Sequence, residues 1–246
     1  MSQNFWEIRS AKYDKLYWTK DESYIDAIIR IGSLKKTDLV LDVGTGTGIM
    51  GKAIMPFVKH VIGLDNSAAM LDKGKWEGFS VIKWDISDRI FQDGLFNKIF
   101  ARMVFHHIID NLDRVFLRCY DLLKDKGKLV VAEGVPPTND PQIVRWYTDM
   151  FALKEVRRVF SLTEVEGHFK KNGFGSVSTH THIMRDFNVN NWVLNSGLSK
   201  NIADKIIKMH YNAPSKVKRA YNMKFVDGCC LIDTKNEIVV GERHIS

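Results

Sequence analysis

Asp38-Leu-Val-Leu-Asp-Val-Gly-Thr-Gly-Thr-Gly-Ile-Met50 is the stretch whose reading decides the fold. Residues 39–43 form a short apolar run, the pattern of a strand buried in a parallel sheet. The run meets Gly44, Gly46 and Gly48, and an apolar, helix-like stretch follows. Glycines there let the backbone turn sharply and approach a ligand with no Cβ in the way. The helix behind them offers free N–H groups and the positive end of its dipole. Asp42 is the odd residue, a carboxylate closing an otherwise apolar strand. A buried acid needs a partner, either a cationic or hydroxyl-bearing ligand or a local turn or helix cap.

Working outward, residues 21–31 have helical apolar spacing, with Gly32 as a natural stop. Residues 49–58 read as the first crossover helix. His60-Val-Ile-Gly-Leu-Asp65 is a second strand ending in an acid, and 67–75 a second helix. Phe79-Ser-Val-Ile-Lys-Trp-Asp85 is a third strand, again ending in an acid. Residues 98–103 make a fourth strand, 111–124 a helix and 128–133 a fifth strand. Strands alternating with helices imply a parallel sheet, right-handed crossovers and ligands at the strands' carboxyl ends. That rule gathers Asp42, Asp65, Asp85 and Arg102 along one edge.

After Pro136-Pro137 the pattern loosens. Helices are expected over 141–155 and 163–171, a strand over 176–184, two or three short helices in 189–222, and a closing strand over 237–241. The expected architecture is α/β: a Rossmann-like, doubly wound, mostly parallel seven-stranded sheet with helical cap insertions. One domain spans 1–246, its core about 22–136, 161–185 and 223–246. The cap comes from 1–21, 137–160 and 186–222. Residues 4–20 crowd Trp6, Tyr13, Tyr17 and Trp18 together, either as a segment folded over a pocket or as a helix docked on the sheet.

Composition excludes several classes. A hydrophobic content of 45% is ordinary for a globular protein, and no apolar run approaches the roughly 20 residues of a membrane span. The first residues lack a signal peptide's apolar region, so a cytoplasmic location is expected. Three cysteines, Cys119 and the adjacent Cys229 and Cys230, make no disulfide framework. The net charge of +7 is spread along the chain, which favours a solvated basic surface over a nucleic-acid footprint.

Counting glycines from the strand's end narrows the ligand. A dinucleotide fingerprint starting at Gly44 would need a sixth-position glycine, and Ile49 stands there. No Gly-Lys-Ser/Thr follows, so a P-loop fails too. An acid, Gly-x-Gly-x-Gly, an acid ending strand two and an acid ending strand three are all satisfied, by Asp42, Gly44, Gly46, Gly48, Asp65 and Asp85.

In these residues the chain resembles a class I S-adenosylmethionine-dependent methyltransferase, over about 10–135 in detail and in outline beyond. Val40-Leu-Asp-Val-Gly-Thr-Gly-Thr-Gly48 is similar to the family's first motif and Gly63-Leu-Asp-Asn-Ser-Ala-Ala-Met-Leu71 to its second. Trp84-Asp-Ile86 is similar to the third, and Leu122-Leu-Lys-Asp-Lys-Gly-Lys-Leu129 to the turn before strand five. The outline is similar to the small-molecule, methyltransferase type 11-like branch that includes quinone and sterol enzymes. The resemblance implies that Asp65 accepts the ribose hydroxyls, with Asn66 and Met70 flanking the adenine and Asp85 and Ile86 at its edge. It implies that Asp42, Gly44 and Gly46 shape the methionine end, closed by the Arg102 backbone and covered by Tyr13, with Thr45 and Gly48 also among the cofactor-binding residues.

Phe105-His106-His107 follows strand four at the ligand edge. A histidine there has a pKa suited to taking a proton near neutrality, so His106 and His107 are the candidate bases. The alternative is packing or capping of the next helix. Adjacent histidines rarely converge on one ion and no third ligand stands near in sequence, so no metal is expected. Arg145, Tyr147, His180, His182, Arg185 and Trp192 are secondary candidates from the cap. The stretch Ala101-Arg-Met-Val-Phe105 departs from the Asn/Asp-Pro-Pro-Tyr/Phe of family members that methylate exocyclic amines. The expected partner is therefore a small-molecule acceptor. RNA or protein methylation, and cofactor binding without transfer, are the alternatives.

Overall fold

The computed structural model describes residues 3–161 and 163–244. Met1, Ser2, Leu162, Ile245 and Ser246, which fall in the expected 1–21, 161–185 and 223–246 segments, lie outside them. Strands β1 (Leu39–Val43), β2 (His60–Asp65), β3 (Ser80–Lys83), β4 (Phe96–Arg102) and β5 (Leu123–Val135) come first in the chain. They are followed by β6 (Gly175–Asn188), β7 (Lys224–Val226) and β8 (Cys229–Glu242). The sheet runs β3-β2-β1-β4-β5-β8-β6, and the three-residue β7 pairs with β8 off that path. Pairings among β1 to β5 are parallel, and β8 is antiparallel to β5, β6 and β7. The seven-stranded, mostly parallel expectation therefore holds, with β7 as a short addition.

Helices α1 (Gln3–Ser10), α2 (Glu22–Gly32), α3 (Ile49–Ile54), α4 (Ala68–Leu71) and α5 (Leu112–Leu122) surround the first half. In the second half come α6 (Pro141–Lys154), α7 (Glu164–Lys171), α8 (Val189–Leu194), α9 (Lys200–Tyr211) and α10 (Ser215–Ala220). Helix α2 starts where the Asp21 carboxylate accepts from the Tyr24 N–H at 2.8 Å, and stops one residue later than expected, at left-handed Ser33. Gly32 stays inside because a Cβ there would sit 2.4 Å from the Phe100 ring. Pro56 cuts α3 short of Val58, since proline removes a helix donor. The second crossover helix shrinks to α4, and the Trp76 indole N–H takes the Leu71 carbonyl at 3.0 Å.

Alternation along the strands feeds two cores. Leu41, Val43, Ile99 and Ala101 pack on one face with Phe116 and Phe169, while Val40 and Phe100 pack on the other with Tyr24, Ile28 and Ile54. A third cluster joins Leu16, Trp146, Tyr147, Trp192, Ile206 and Tyr221. It draws on each of the three expected cap segments, together with Cys230 and Ile232 of β8. Among the described residues no helix is long and apolar enough to cross a membrane.

Candidate functional site

A cavity of about 690 Å³ opens at the carboxyl ends of β1, β2 and β4. Of the expected residues, Tyr13, Gly44, Gly46, Asp65, Asn66, Met70, Asp85, Ile86, Arg102 and His107 border it. Asp42, Thr45, Gly48 and His106 do not.

The glycine turn is held from inside. Gly44 and Gly46 have φ of +66° and +60°, a region costly for residues with a Cβ. The Gly44 and Thr45 N–H groups donate to the Leu64 carbonyl at 2.7 and 3.0 Å. Asp42 is buried beneath, its carboxylate accepting from the Thr45 hydroxyl at 2.6 Å. Burial lifts its carboxyl to about 6. Asp42 and Thr45 thus brace the turn rather than face the cavity, and Gly48 caps α3 against Trp76 and Phe79.

Asp65 accepts from the Gly46 N–H at 2.9 Å and the Ser67 N–H at 2.8 Å, one on each oxygen. A carboxylate offers about four lone-pair directions, so each oxygen keeps capacity for a hydroxyl ligand. Burial raises its pKa. Asp85 accepts from the Ser87 N–H and hydroxyl and, at 3.2 Å, from the Asn66 amide. Desolvation works against its ionisation, yet these donors hold it below the usual range. Tyr13 closes the cavity from the N-terminal segment, and burial pushes its phenol up. Asp14, beside it, accepts from the Thr47 hydroxyl at 3.0 Å, tying this segment to the glycine turn. The Arg102 side chain donates to the Thr19 carbonyl at 3.0 Å and lies 5.8 Å from the Trp18 ring centre.

The opposite end centres on the loop after β4. Met103 there is left-handed, φ 57°, uncommon for a residue with a side chain. Glu133, fully buried on β5, organises the loop. One of its oxygens takes the N–H groups of Val104, Phe105 and His106 at 3.0, 2.7 and 3.3 Å. The other lies 2.6 Å from His106 Nδ1. Burial pushes the Glu133 carboxyl up to about 7 and His106 well below its ordinary value. His106 is therefore a brace, not a group facing the cavity.

His107 borders the cavity with its Nδ1 buried and without a hydrogen-bond partner. Its ring meets Trp6 edge-on at 5.0 Å. Burial first, then the neighbouring His106 and nearby cations, keep its pKa well below the ordinary value, so it is neutral at pH 7. Behind it Glu155 pairs with Arg9 at 3.0 Å, Lys154 at 2.6 Å and Arg157 at 3.5 Å. His106, His107 and Glu155 bring donor atoms within 4.8 Å of one another, a spacing a metal ion tolerates. Three cations already crowd that carboxylate, and their field repels a divalent ion. Arg158 fastens this segment to the loop, its N–H on the His106 carbonyl at 2.9 Å and its guanidinium on the Ile108 and Ile109 carbonyls.

The secondary candidates scatter. Tyr147 is buried and donates to the Gly134 carbonyl, Trp192 packs in the cap core and His182 stacks on Tyr24. Arg145 is exposed, Arg185 pairs with Asp233, and His180 meets Ser178. Residues missed by sequence reasoning are Arg9, Glu133, Lys154, Glu155 and Arg157, whereas Trp6 belongs to the aromatic segment expected either over a pocket or on the sheet, and it borders the cavity. Glu133 carried a readable signal, an acid closing a strand as Asp42, Asp65 and Asp85 do.

A family model described as "Methyltransferase domain" matches residues 17–179, more than half of the chain. The chain is similar to demethylmenaquinone methyltransferase of Thermotoga maritima, 33% identical over 102 residues, covering 40% of this chain and 44% of that one. It is also similar to ribosomal RNA small subunit methyltransferase A of Crocosphaera subtropica, 29% identical over 75 residues, 28% of either chain. The matches thus span less than half the length of these two curated relatives. Among solved structures, the YcgJ protein of Bacillus subtilis superposes with a TM-score of 0.78 at 18% identity, covering 90% of this chain and 98% of that one. At that identity the likeness speaks for the fold.

Proposed function

The chain belongs to the methyltransferase-domain family, and from that premise we propose that it transfers the methyl of S-adenosylmethionine to a small-molecule acceptor. The observation that carries this reading is one cavity with two unlike ends, a hydroxyl-accepting Asp65 at one and a roofed, neutral His107 at the other. The cofactor supplies a methyl already activated on a sulfonium. The chain's own task is to align the acceptor and to move its proton.

In this reading Asp65 binds the ribose hydroxyls through its remaining lone pairs. Asn66, Met70, Asp85 and Ile86 surround the adenine. The glycine turn, Tyr13 and Arg102 enclose the methionine end, while Asp42, Thr45 and Gly48 keep the turn in shape. His107 takes the acceptor's proton, its depressed pKa leaving the imidazole free at neutral pH. Trp6 borders the same cavity as His107 and adds an aromatic face there, which suits a small molecule.

Purified protein incubated with labelled S-adenosylmethionine should label a fraction of a metabolite extract and leave bulk RNA unlabelled. Label in RNA alone would overturn the acceptor class and favour the reading suggested by the basic charge. His107→Ala should lower turnover about 100-fold or more with cofactor affinity unchanged; unaltered turnover removes the base.

A further inference from the structure

We infer that the acceptor is an oxygen acid, a hydroxyl of the phenol, enol or carboxylic type, held as its anion in the field of a cationic wall behind His107. The inference rests on the methyl-transfer reading of the cavity and names the substrate class that reading leaves open.

The wall is made by Arg9, Lys154 and Arg157, whose side chains are 6, 2 and 3% exposed. Glu155 is the one carboxylate they share. Glu133, the next acid, is engaged by His106 and three backbone N–H groups, and burial keeps it from being fully ionised at neutral pH. Positive charge is thus in excess where water is scarce. Arg9 Nε and Arg157 Nη2 are buried with no hydrogen-bond partner. Buried charge without compensation is strongly unfavourable, and since the three cations stand behind the cavity lining they act on an arriving anion through their field and not by contact. Lys154 shows the same excess, brought down to about 7 by burial and by Arg9.

The wall reaches the cavity through His107 and Trp6. The Arg9 guanidinium lies 5.4 Å from the Trp6 ring centre, and Trp6 stands edge-on to His107. Glu7 and Asp110 also border the cavity, but both are exposed and screened by water. The field of the wall is not screened in this way.

This charge pattern distinguishes acceptor chemistries. An amine gains positive charge when methylated and would carry it toward three cations. An oxyanion loses its charge. As the acceptor binds, its O–H proton passes through the neutral His107 imidazole to water at the cavity mouth, leaving the bound oxyanion and no lasting charge on the ring. The oxygen lone pair then forms the O–CH3 bond as the S–CH3 bond breaks, its electron pair returning to sulfur. A sulfonium and an oxyanion become a neutral thioether and a neutral methyl ether or ester.

The test is a spectrophotometric titration of 4-nitrophenol bound to the protein saturated with S-adenosylhomocysteine. The bound dye should keep its phenolate band about one pH unit lower than free dye, roughly a tenfold shift toward the anion. Lys154→Met and Arg157→Gln should pull the value back up. Glu155→Gln, which removes the wall's one anion, should push it lower still. Because the variants move the value in opposite directions, misfolding cannot imitate the pattern.

The inference is overturned if bound dye titrates at or above its free value, or if 4-nitroaniline binds as tightly. It is equally overturned if the dye does not bind protein that holds S-adenosylhomocysteine, or if zinc binds one to one through His107. Failure to bind S-adenosylhomocysteine would instead defeat the methyl-transfer reading. The dye is then titrated against the protein alone, where an unlowered value overturns the wall as well.

Discussion

At the cofactor end, Asp65 finds its partners 19 and 2 residues away, in Gly46 and Ser67, and both are backbone N–H groups. At the acceptor end, Glu133 reaches His106 across 27 residues and Glu155 reaches Arg9 across 146. The first region is a turn whose shape lies in neighbouring residues. The second is a meeting of side chains that only the folded sheet and cap bring together. Chemistry common to a family suits the first construction, and chemistry particular to one acceptor suits the second.

The sharpest way to break this contrast is Glu133→Ala. It leaves three buried N–H groups and His106 without an acceptor, and should cost roughly 3–5 kcal/mol in urea unfolding. A loss below about 1 kcal/mol would mean that the acceptor end does not depend on distant convergence. Next in size is Asp65→Ala. Calorimetry with S-adenosylhomocysteine should show affinity weakened by roughly 2–3 kcal/mol, or about 30- to 150-fold, for a lost charge-assisted pair. Unchanged affinity would sink the cofactor-end reading.

Asp42→Asn sharpens the comparison through pH. Burial lifts this carboxyl from 3.8 to about 6, so the folded chain holds a proton that the unfolded chain releases. Its contribution is therefore present below about pH 3.8 and lost as pH rises to about 6. Asparagine does not ionise, so the variant should gain about 2–3 kcal/mol on the parent across that window and level off above it. Thermal melts at pH 4, 5, 6 and 7 measure it, and a flat difference would place the carboxylate in a solvated setting. The smallest effect belongs to Arg145→Ala. Its pair with Asp149 is exposed, so stability should change by less than about 0.5 kcal/mol. A larger loss would give the cap surface a role it lacks in the contrast.

How much could be read in advance follows the same division. The glycine positions, the three strand-ending acids and the alternation of elements are local patterns. They led to the sheet and to many of the residues that border the cavity. Asp42 was assigned to the ligand because sequence shows that an acid is present, not that Thr45, three residues on, will occupy it. The adjacent histidines were equivalent in sequence. A 3₁₀ turn at Phe105–His107 sends one to Glu133 and the other to the cavity. Arg9, Lys154 and Arg157 carry no local mark in the sequence, since burial of charge depends on packing that no local period reports.

Arg158 gives the acceptor end a mechanical property. By gripping the carbonyls of His106, Ile108 and Ile109, it makes the segment after α6 and the histidine loop a single moving part. A displacement of that segment large enough to admit or release a bulky molecule would withdraw His107 in the same stroke. In the methyl-transfer reading, the proposed base and the segment behind it are thus tied through one side chain.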